Sequence, residues 1–280
     1  MKAEAKSYAA GTVVNALATF RGVAFAIGLE SRVTFSEKDE KGFYVSSERR
    51  VQRSPVAEKL MRGSEISGGV FRVDSEIPRK SGLGSSSAFM NALILCAFKV
   101  RGYELRADRI LRLNARMSLE AGMSYTGAFD DASASLLGGF VFSDNLKMRL
   151  YRRHEKVGKA AILIPEWGRG RVNLEDMRSS KEDVDRAFRL AMEGKMKEAM
   201  LLNSMHYCRK IGLPLEPVQA VQSLNVAAGL SGNGPCYVAF GEEVDTVVDI
   251  WENFGKVIVR DIVNEPCDKI SVPDSLFFHQ

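Results

Sequence analysis

Three clusters of residues in this chain have the types and spacing that chemistry on phosphate groups requires. The first is Pro78-Arg79-Lys80-Ser81-Gly82-Leu83-Gly84-Ser85-Ser86-Ser87-Ala88. An apolar-alternating segment, 69–77, runs into it, and a helical pattern, 88–98, runs out. A helix whose first turn is built from serines presents unpaired backbone N–H groups with the positive end of the helix dipole behind them. Two glycines let the backbone lie close to a ligand, and the hydroxyls can donate to phosphate oxygens or ligate a cation. The expectation is a nucleotide-triphosphate site; a well-capped helix after a tight turn is the plainer reading of the same residues. The Gly-Lys-Ser/Thr ending of the common P-loop is absent, which excludes that mechanism.

The second cluster runs from Glu120 to Asp131 and holds three carboxylates in a small-residue loop between two helical patterns. Hard cations prefer oxygen ligands, and phosphoryl transfer needs both charge neutralisation and an oriented nucleophile. Against this, Asp130 and Asp131 sit near a helix start, where a carboxylate can simply cap, and Glu120 can be an exposed residue near a helix end. The third cluster, Gly229-Leu230-Ser231-Gly232-Asn233-Gly234-Pro235, precedes a strand pattern at 236–240. Its glycines permit positive φ and close approach to an anion; a plain connecting loop is the alternative.

The elements that must position these clusters follow from periodicity and punctuation. Residues 3–10 read as a first strand, 13–18 as a second apolar segment after Gly11, Arg21-Gly22 as a turn, 23–35 as a long strand and 42–46 as another. Ser54-Pro55 starts a short helix ending at Gly63. Helical spacing recurs at 106–119, 129–137, 181–192, 196–207, 217–224 and 244–254, with strands at 140–142, 160–165, 236–240 and 256–263. A boundary near 148/149 divides the chain into two α+β halves, 1–148 carrying the loop 78–88 and 149–280 carrying the loop 229–235. The helices of 181–207 are candidates for a lid, because a phosphate-transferring site must exclude water.

With 280 residues, 45% hydrophobic and 26% charged, the chain has an ordinary folded composition. Its apolar runs stop short of membrane-spanning length, and the charged start at 1–6 has no apolar core behind it, so the expectation is a cytoplasmic protein with no membrane partner. Cys96, Cys208, Cys236 and Cys267 are too scattered for a zinc site or a disulfide framework. A formal charge of +4, spread along the chain, suits an anionic small substrate and is too weak for nucleic acid. His154, His206 and His279 stand outside every motif.

In this order and at these separations, the three clusters resemble the kinase superfamily of galactokinase, homoserine kinase, mevalonate kinase and phosphomevalonate kinase (GHMP kinases). Pro78, Gly82, Leu83, Gly84, Ser85 and Ser86 match its central motif; Lys80 replaces the motif's first glycine, and Ser87 adds a third serine before Ala88. Glu120 and Asp131 stand eleven residues apart, as the family's magnesium-binding Glu and catalytic Asp do, and Gly138-Gly139 follows at the family's distance. Ser231-Gly232-Asn233-Gly234-Pro235 matches the third motif. The triple serine, the run 126–131 and the opening 9–16 look most like the archaeal-type shikimate kinases.

The resemblance implies an α+β, two-domain GHMP kinase fold, with a ribosomal-protein-S5-domain-2-like N-terminal half and a ferredoxin-like C-terminal half. It implies ATP and Mg²⁺ as cofactors and shikimate as acceptor, in a step of aromatic amino-acid biosynthesis. Pro78, the run Lys80 to Ala88, and Ser231, Gly232, Asn233 and Gly234 would hold the nucleotide. Ser86 and Glu120 would ligate the metal, Asp131 would act as base, and Asp130 with Asp131 would contact the acceptor. Lys6 stands where mevalonate kinases carry a lysine that assists the catalytic Asp, with an exposed edge-strand residue as the alternative. A shikimate carboxylate needs a cationic partner, for which Arg21, Arg79, Arg152 and Arg169 are all candidates. Homoserine or mevalonate kinase remains the alternative within the family, and a catalytically silent ligand-binding relative the one outside it. The last predicts loss of Glu120 or Asp131, and both are present.

Overall fold

A computed structural model of the chain describes residues 1–48, 50–179 and 181–278; His279 lies outside them. The first stretch of elements is β1 (Lys2–Val14), β2 (Arg21–Glu37), β3 (Gly42–Ser47), β4 (Arg50–Arg53), α1 (Pro55–Met61) and β5 (Gly68–Ser75). Then come α2 (Ser85–Val100), α3 (Ala107–Glu120), α4 (Phe129–Leu137), β6 (Phe140–Asp144) and β7 (Arg149–His154). The remainder is β8 (Lys159–Pro165), α5 (Leu174–Arg178), α6 (Glu182–Met192), α7 (Met196–Ile211), α8 (Glu216–Ala220), β9 (Val226–Leu230), β10 (Tyr237–Gly241), α9 (Val244–Trp251) and β11 (Gly255–Asp261).

β1 and β2 pair antiparallel along nearly their whole lengths, from Lys2 opposite Ser36 to Val14 opposite Val23. The expected break at Gly11 and turn at Arg21-Gly22 are therefore corrected: β1 runs through Gly11, and the turn lies just before Arg21. Gly11 serves packing instead, since a Cβ there would lie 2.6 Å from the Phe25 ring. β2 shares its other edge between β5 near its end and β6 near its start. The resulting sheet has the order β4-β3-β5-β2-β6-β7, with β1 beside β2. β7 still belongs to it, so the change of sheet falls at 155–158, beyond the expected division at 148/149. The second sheet, β11-β8-β10-β9, is antiparallel throughout.

α2 is buried around most of its circumference because it packs on β1 and β2 below and on α3 and α4 at its flanks. That explains why its sequence is continuously apolar and not striped. Asn91 breaks this apolar run with a purpose, in concert with Asn114 of α3. Asn91 donates to the Ala132 carbonyl at 2.9 Å, and Asn114 donates to Asn91 Oδ1 at 2.7 Å and to the Ser87 carbonyl at 3.0 Å. These bonds lock the starts of α2 and α4 to α3.

The two sheets share a core in which Phe25 stacks on Phe140 at 4.9 Å and meets the edge of Phe240 at 5.0 Å. Ala187 and Phe188 of α6 and Met200 and Tyr207 of α7 are buried in the same core. The expectation of a lid at 181–207 is thereby corrected, since burying these apolar faces ties both helices to the scaffold.

Candidate active site

The serine loop reaches its position through glycine. Gly84 caps α2 in a left-handed conformation, φ 64°, and brings no side chain to accept from the first-turn N–H groups. Ser85, Ser86 and Ser87 of that turn line a cavity of about 440 Å³, together with Lys80, Gly82 and Gly84. Two backbone bonds of 3.0 Å clamp the loop, Ala10 N–H to the Leu83 carbonyl and Cys236 N–H to the Ser81 carbonyl. A Cβ at Gly82 would lie 2.1 Å from the Ser231 carbonyl oxygen, so the first and third clusters touch only because residue 82 is glycine. Ser231 Oγ donates to the Gly82 carbonyl at 2.9 Å and accepts from Thr12 N–H at 3.2 Å. Gly232 N–H in turn donates to Thr12 Oγ1 at 2.9 Å.

The turn after β1 closes the next wall. The Asn15 side-chain amide donates to the Gly232 carbonyl at 2.9 Å and to Asn233 Oδ1 at 3.0 Å. Its backbone N–H donates to Asn203 Oδ1 of α7 at 2.9 Å, and Tyr207 Oη donates to the Asn15 carbonyl at 3.0 Å. Thr12 and Asn15 line the cavity although no role follows from their types alone. The stretch 9–16 that carries them points to a subfamily by its pattern, and its chemistry becomes visible only once β1 lies beside the loops.

Asp130 and Asp131 occupy the first turn of α4 and both line the cavity. The plainer expectation of a side-chain cap is corrected: Ala128 caps α4 with φ 45°, and no side chain makes the capping bond. Asp130 is buried against β2, where a Cβ at Gly22 would lie 2.3 Å from its Oδ2. Asn145 holds it, donating to Asp130 Oδ1 at 2.8 Å and accepting from Asp130 N–H at 3.1 Å. Asn145 N–H also donates to the Phe20 carbonyl at 2.7 Å, which ties this end of the site to the turn after β1. Asp131 stands beside the start of α2, its Cβ 3.5 Å from where a Cβ on Gly84 would be. Its carboxyl accepts no hydrogen bond among the described residues. Burial raises both carboxyls above the ordinary range, and the charge of Asp130 pushes Asp131 up further.

Of the remaining expected residues, Asn233 and Gly232 line the cavity, while others shape it from behind. Ser81 Oγ donates to the Pro78 carbonyl at 2.7 Å and folds the loop, and Leu83 and Ala88 are buried in the cores. Ser231 is the bridge described above, and Gly234 makes room for Leu213, whose Cδ1 would lie 2.5 Å from a Cβ there. Two further expected residues fall outside the lining. Lys6 pairs with Glu30 at 2.5 Å and is not among the lining residues. It stands four residues before Ala10, the point where β1 meets the loop, or about 13 Å along a strand. Glu120 pairs with Lys59 of α1 at 2.6 Å and is largely exposed. Ser118 is the residue of α3 that faces the cavity, and Glu120 lies two positions on, about 200° around the helix.

The model for the GHMP kinases N terminal domain matches residues 49–139, which hold the serine loop and both aspartates. Across nearly its full length the chain is 48% identical to a shikimate kinase of Archaeoglobus fulgidus, covering 98% of this chain and 97% of that one. The chain belongs to the archaeal-type shikimate kinases of the GHMP superfamily. A shikimate kinase of Methanocella arvoryzae is 34% identical over 95% of each chain. Among solved structures, a homoserine kinase from Cytophaga hutchinsonii superposes with a TM-score of 0.70 at 17% identity, covering 94% of this chain and 96% of that one. At that identity the likeness shows the fold, two α+β units each with its own sheet. As a member of this kinase family the protein is an ATP-dependent phosphotransferase, and the uncapped start of α2 faces the cavity that also holds Asp131.

Proposed function

We propose that the protein transfers the γ-phosphoryl group of ATP to the 3-hydroxyl of shikimate, giving shikimate 3-phosphate and ADP. The observation that carries the reading is the 48% identity with a shikimate kinase over nearly the full length, joined to a cavity lined by both a phosphate cradle and an unpartnered carboxylate. The N–H groups of Ser85–Ser87, the dipole of α2 and the Lys80 ammonium hold the phosphate chain. The acceptor hydroxyl lies against Asp131. Its oxygen forms the new bond to the γ-phosphorus, the bond to the bridging β–γ oxygen breaks, and the hydroxyl proton passes to the Asp131 carboxylate. Asp130, held by Asn145, keeps a second carboxylate at hand for the acceptor's neighbouring hydroxyls.

Mg²⁺ fits this donor set. Among the described residues no three carboxylate, imidazole or thiolate groups form a cage, but Mg²⁺ takes one or two protein oxygens and completes its shell with phosphates and water. The Ser86 hydroxyl would hold it, with phosphate and water completing its shell; Asp131 is left to take the acceptor proton, and Glu120 stays paired with Lys59. Bound at Ser86, Mg²⁺ neutralises phosphate charge. No helix among the described residues is long and apolar enough to cross a membrane, and four buried thiols accord with a cytoplasmic setting.

The test is ADP release measured with shikimate, homoserine and mevalonate side by side. Turnover with shikimate alone is expected. Turnover with homoserine or mevalonate in its place would overturn the acceptor assignment, and silence with all three would return the chain to a ligand-binding role.

A further inference from the structure

A shikimate kinase must hold two anions at once, the nucleotide phosphates and the acceptor's carboxylate, in a site that already contains two aspartates. Among the described residues, two cationic side chains line the cavity, Lys80 and Arg169. Lys80 belongs to the serine loop and stands with the phosphates. Arg169 comes from the other half of the chain, in the segment joining β8 to α5, and no ion pair among the described residues engages it.

The other arginines named as candidates are occupied elsewhere. Arg21 pairs with Asp185 at 2.5 Å and lies over the Phe188 ring. Arg152 donates to the Met192 carbonyl at 2.8 Å, and Arg79 to Ser47 Oγ at 3.1 Å. The backbone beside Arg169 is well placed by packing: a Cβ at Gly170 would lie 2.1 Å from the Ile211 carbonyl oxygen, so the segment lies hard against the end of α7.

The side of the cavity that this segment serves can be traced. Its far end leads into α5, whose Arg178 lies over the Phe20 ring and reaches the Leu17 carbonyl at 3.5 Å. Phe20 is the residue whose carbonyl accepts from Asn145, the side chain that holds Asp130. The segment that carries Arg169 is thus anchored through α5 to the turn after β1 that also holds Asn145 and Asp130, whereas Lys80 comes from the serine loop at the phosphate end. A planar guanidinium matches a carboxylate with two parallel hydrogen bonds, which a point-charge ammonium does not.

Resting on the shikimate reading above, we infer that Arg169 binds the carboxylate of the acceptor and selects for an anionic, ring-borne carboxyl group. The test compares wild type, Arg169→Ala and Arg169→Lys with shikimate and with its methyl ester, which lacks the charge. Arg169→Ala is expected to raise the KM for shikimate roughly 10–100-fold, the loss of a charge-assisted hydrogen-bond pair. The KM for ATP stays unchanged, the ester is used equally by wild type and Arg169→Ala, and Arg169→Lys recovers part of the loss. A rise confined to the KM for ATP would assign Arg169 to the phosphates, and equal penalties for acid and ester would make its role structural; either overturns the inference while the acceptor assignment stands. Wild type inactive on shikimate in the side-by-side assay would overturn both.

Discussion

At the scale of single residues, the chemistry concentrates on Asp131. Replacing it by Asn removes the proton acceptor, and the expected cost is about 10²–10⁴-fold in turnover with nucleotide affinity kept, as steady-state kinetics and nucleotide titration would show. The same change has a stability signature of opposite sign. A carboxyl raised by burial and by Asp130 favours folding only while protonated, so the wild type loses stability as pH rises through that raised value. Asp131→Asn does not titrate and should melt higher at neutral pH, by about 2–4 °C for each kcal/mol recovered in a chain of this size. The gain should shrink as pH falls into the ordinary aspartate range; a gain independent of pH would contradict the assigned strain. Lys6 and Glu120 provide the contrast. Both are bound in surface pairs away from the cavity, so Lys6→Ala and Glu120→Ala should each change stability by no more than about 1 kcal/mol and leave turnover and its Mg²⁺ dependence intact. A large kinetic loss in either would return it to the site.

At the scale of elements, the site depends on two loops from different halves meeting at one glycine. Gly82→Ala would place a methyl group 2.1 Å from the Ser231 carbonyl oxygen, and backbone on both sides leaves nothing flexible to yield. The loops must separate, breaking the Ser231–Gly82 and Thr12–Ser231 bonds. A stability loss of about 1–3 kcal/mol is expected from the overpacking, with a fall in nucleotide affinity. Gly102→Ala is the matched control, since Gly102 has a comparable φ of 64° and nothing within 4 Å of the new Cβ. Thermal melts and nucleotide titrations of the two variants separate backbone strain, which both carry, from the clash, which only Gly82→Ala has.

At the scale of the molecule, the halves are two sheets joined through one aromatic core. Phe25 and Phe140 come from the first sheet and Phe240 from the second. Burying such rings is worth several kcal/mol each, too much for either half to lose without the other. Unfolding in denaturant should therefore be a single transition. Trp167 and Trp251, the two tryptophans of the chain, both lie in the second half, whereas far-ultraviolet circular dichroism reports on both. Coincident midpoints are expected from the two signals. An earlier fluorescence transition would mean that the second sheet opens alone.

Much of this protein follows from local pattern. The helical spacing of α2, α3, α6 and α7, the Ser54-Pro55 helix start and the glycine-serine punctuation of the loops are short-range facts, because 3.6- and 2-residue periods and left-handed backbone are properties of neighbouring residues. The exposed, polar β4 and the small-residue β9 carry no such period and emerge only as partners of β3 and β10. Family membership was also legible, since the separations between three motifs survive in the chain itself. Direction was not. Spacing marked Glu120 and Asp131 equally, yet the phase of α3 turns Glu120 towards Lys59 while α4 brings Asp131 to the cavity. Arginines at 21, 79, 152 and 169 were interchangeable as charges until packing engaged three and left Arg169 on the wall. Distance along a chain constrains which residues can meet; which face each one presents depends on the helices and sheets packed around it, and only the tertiary structure decides that.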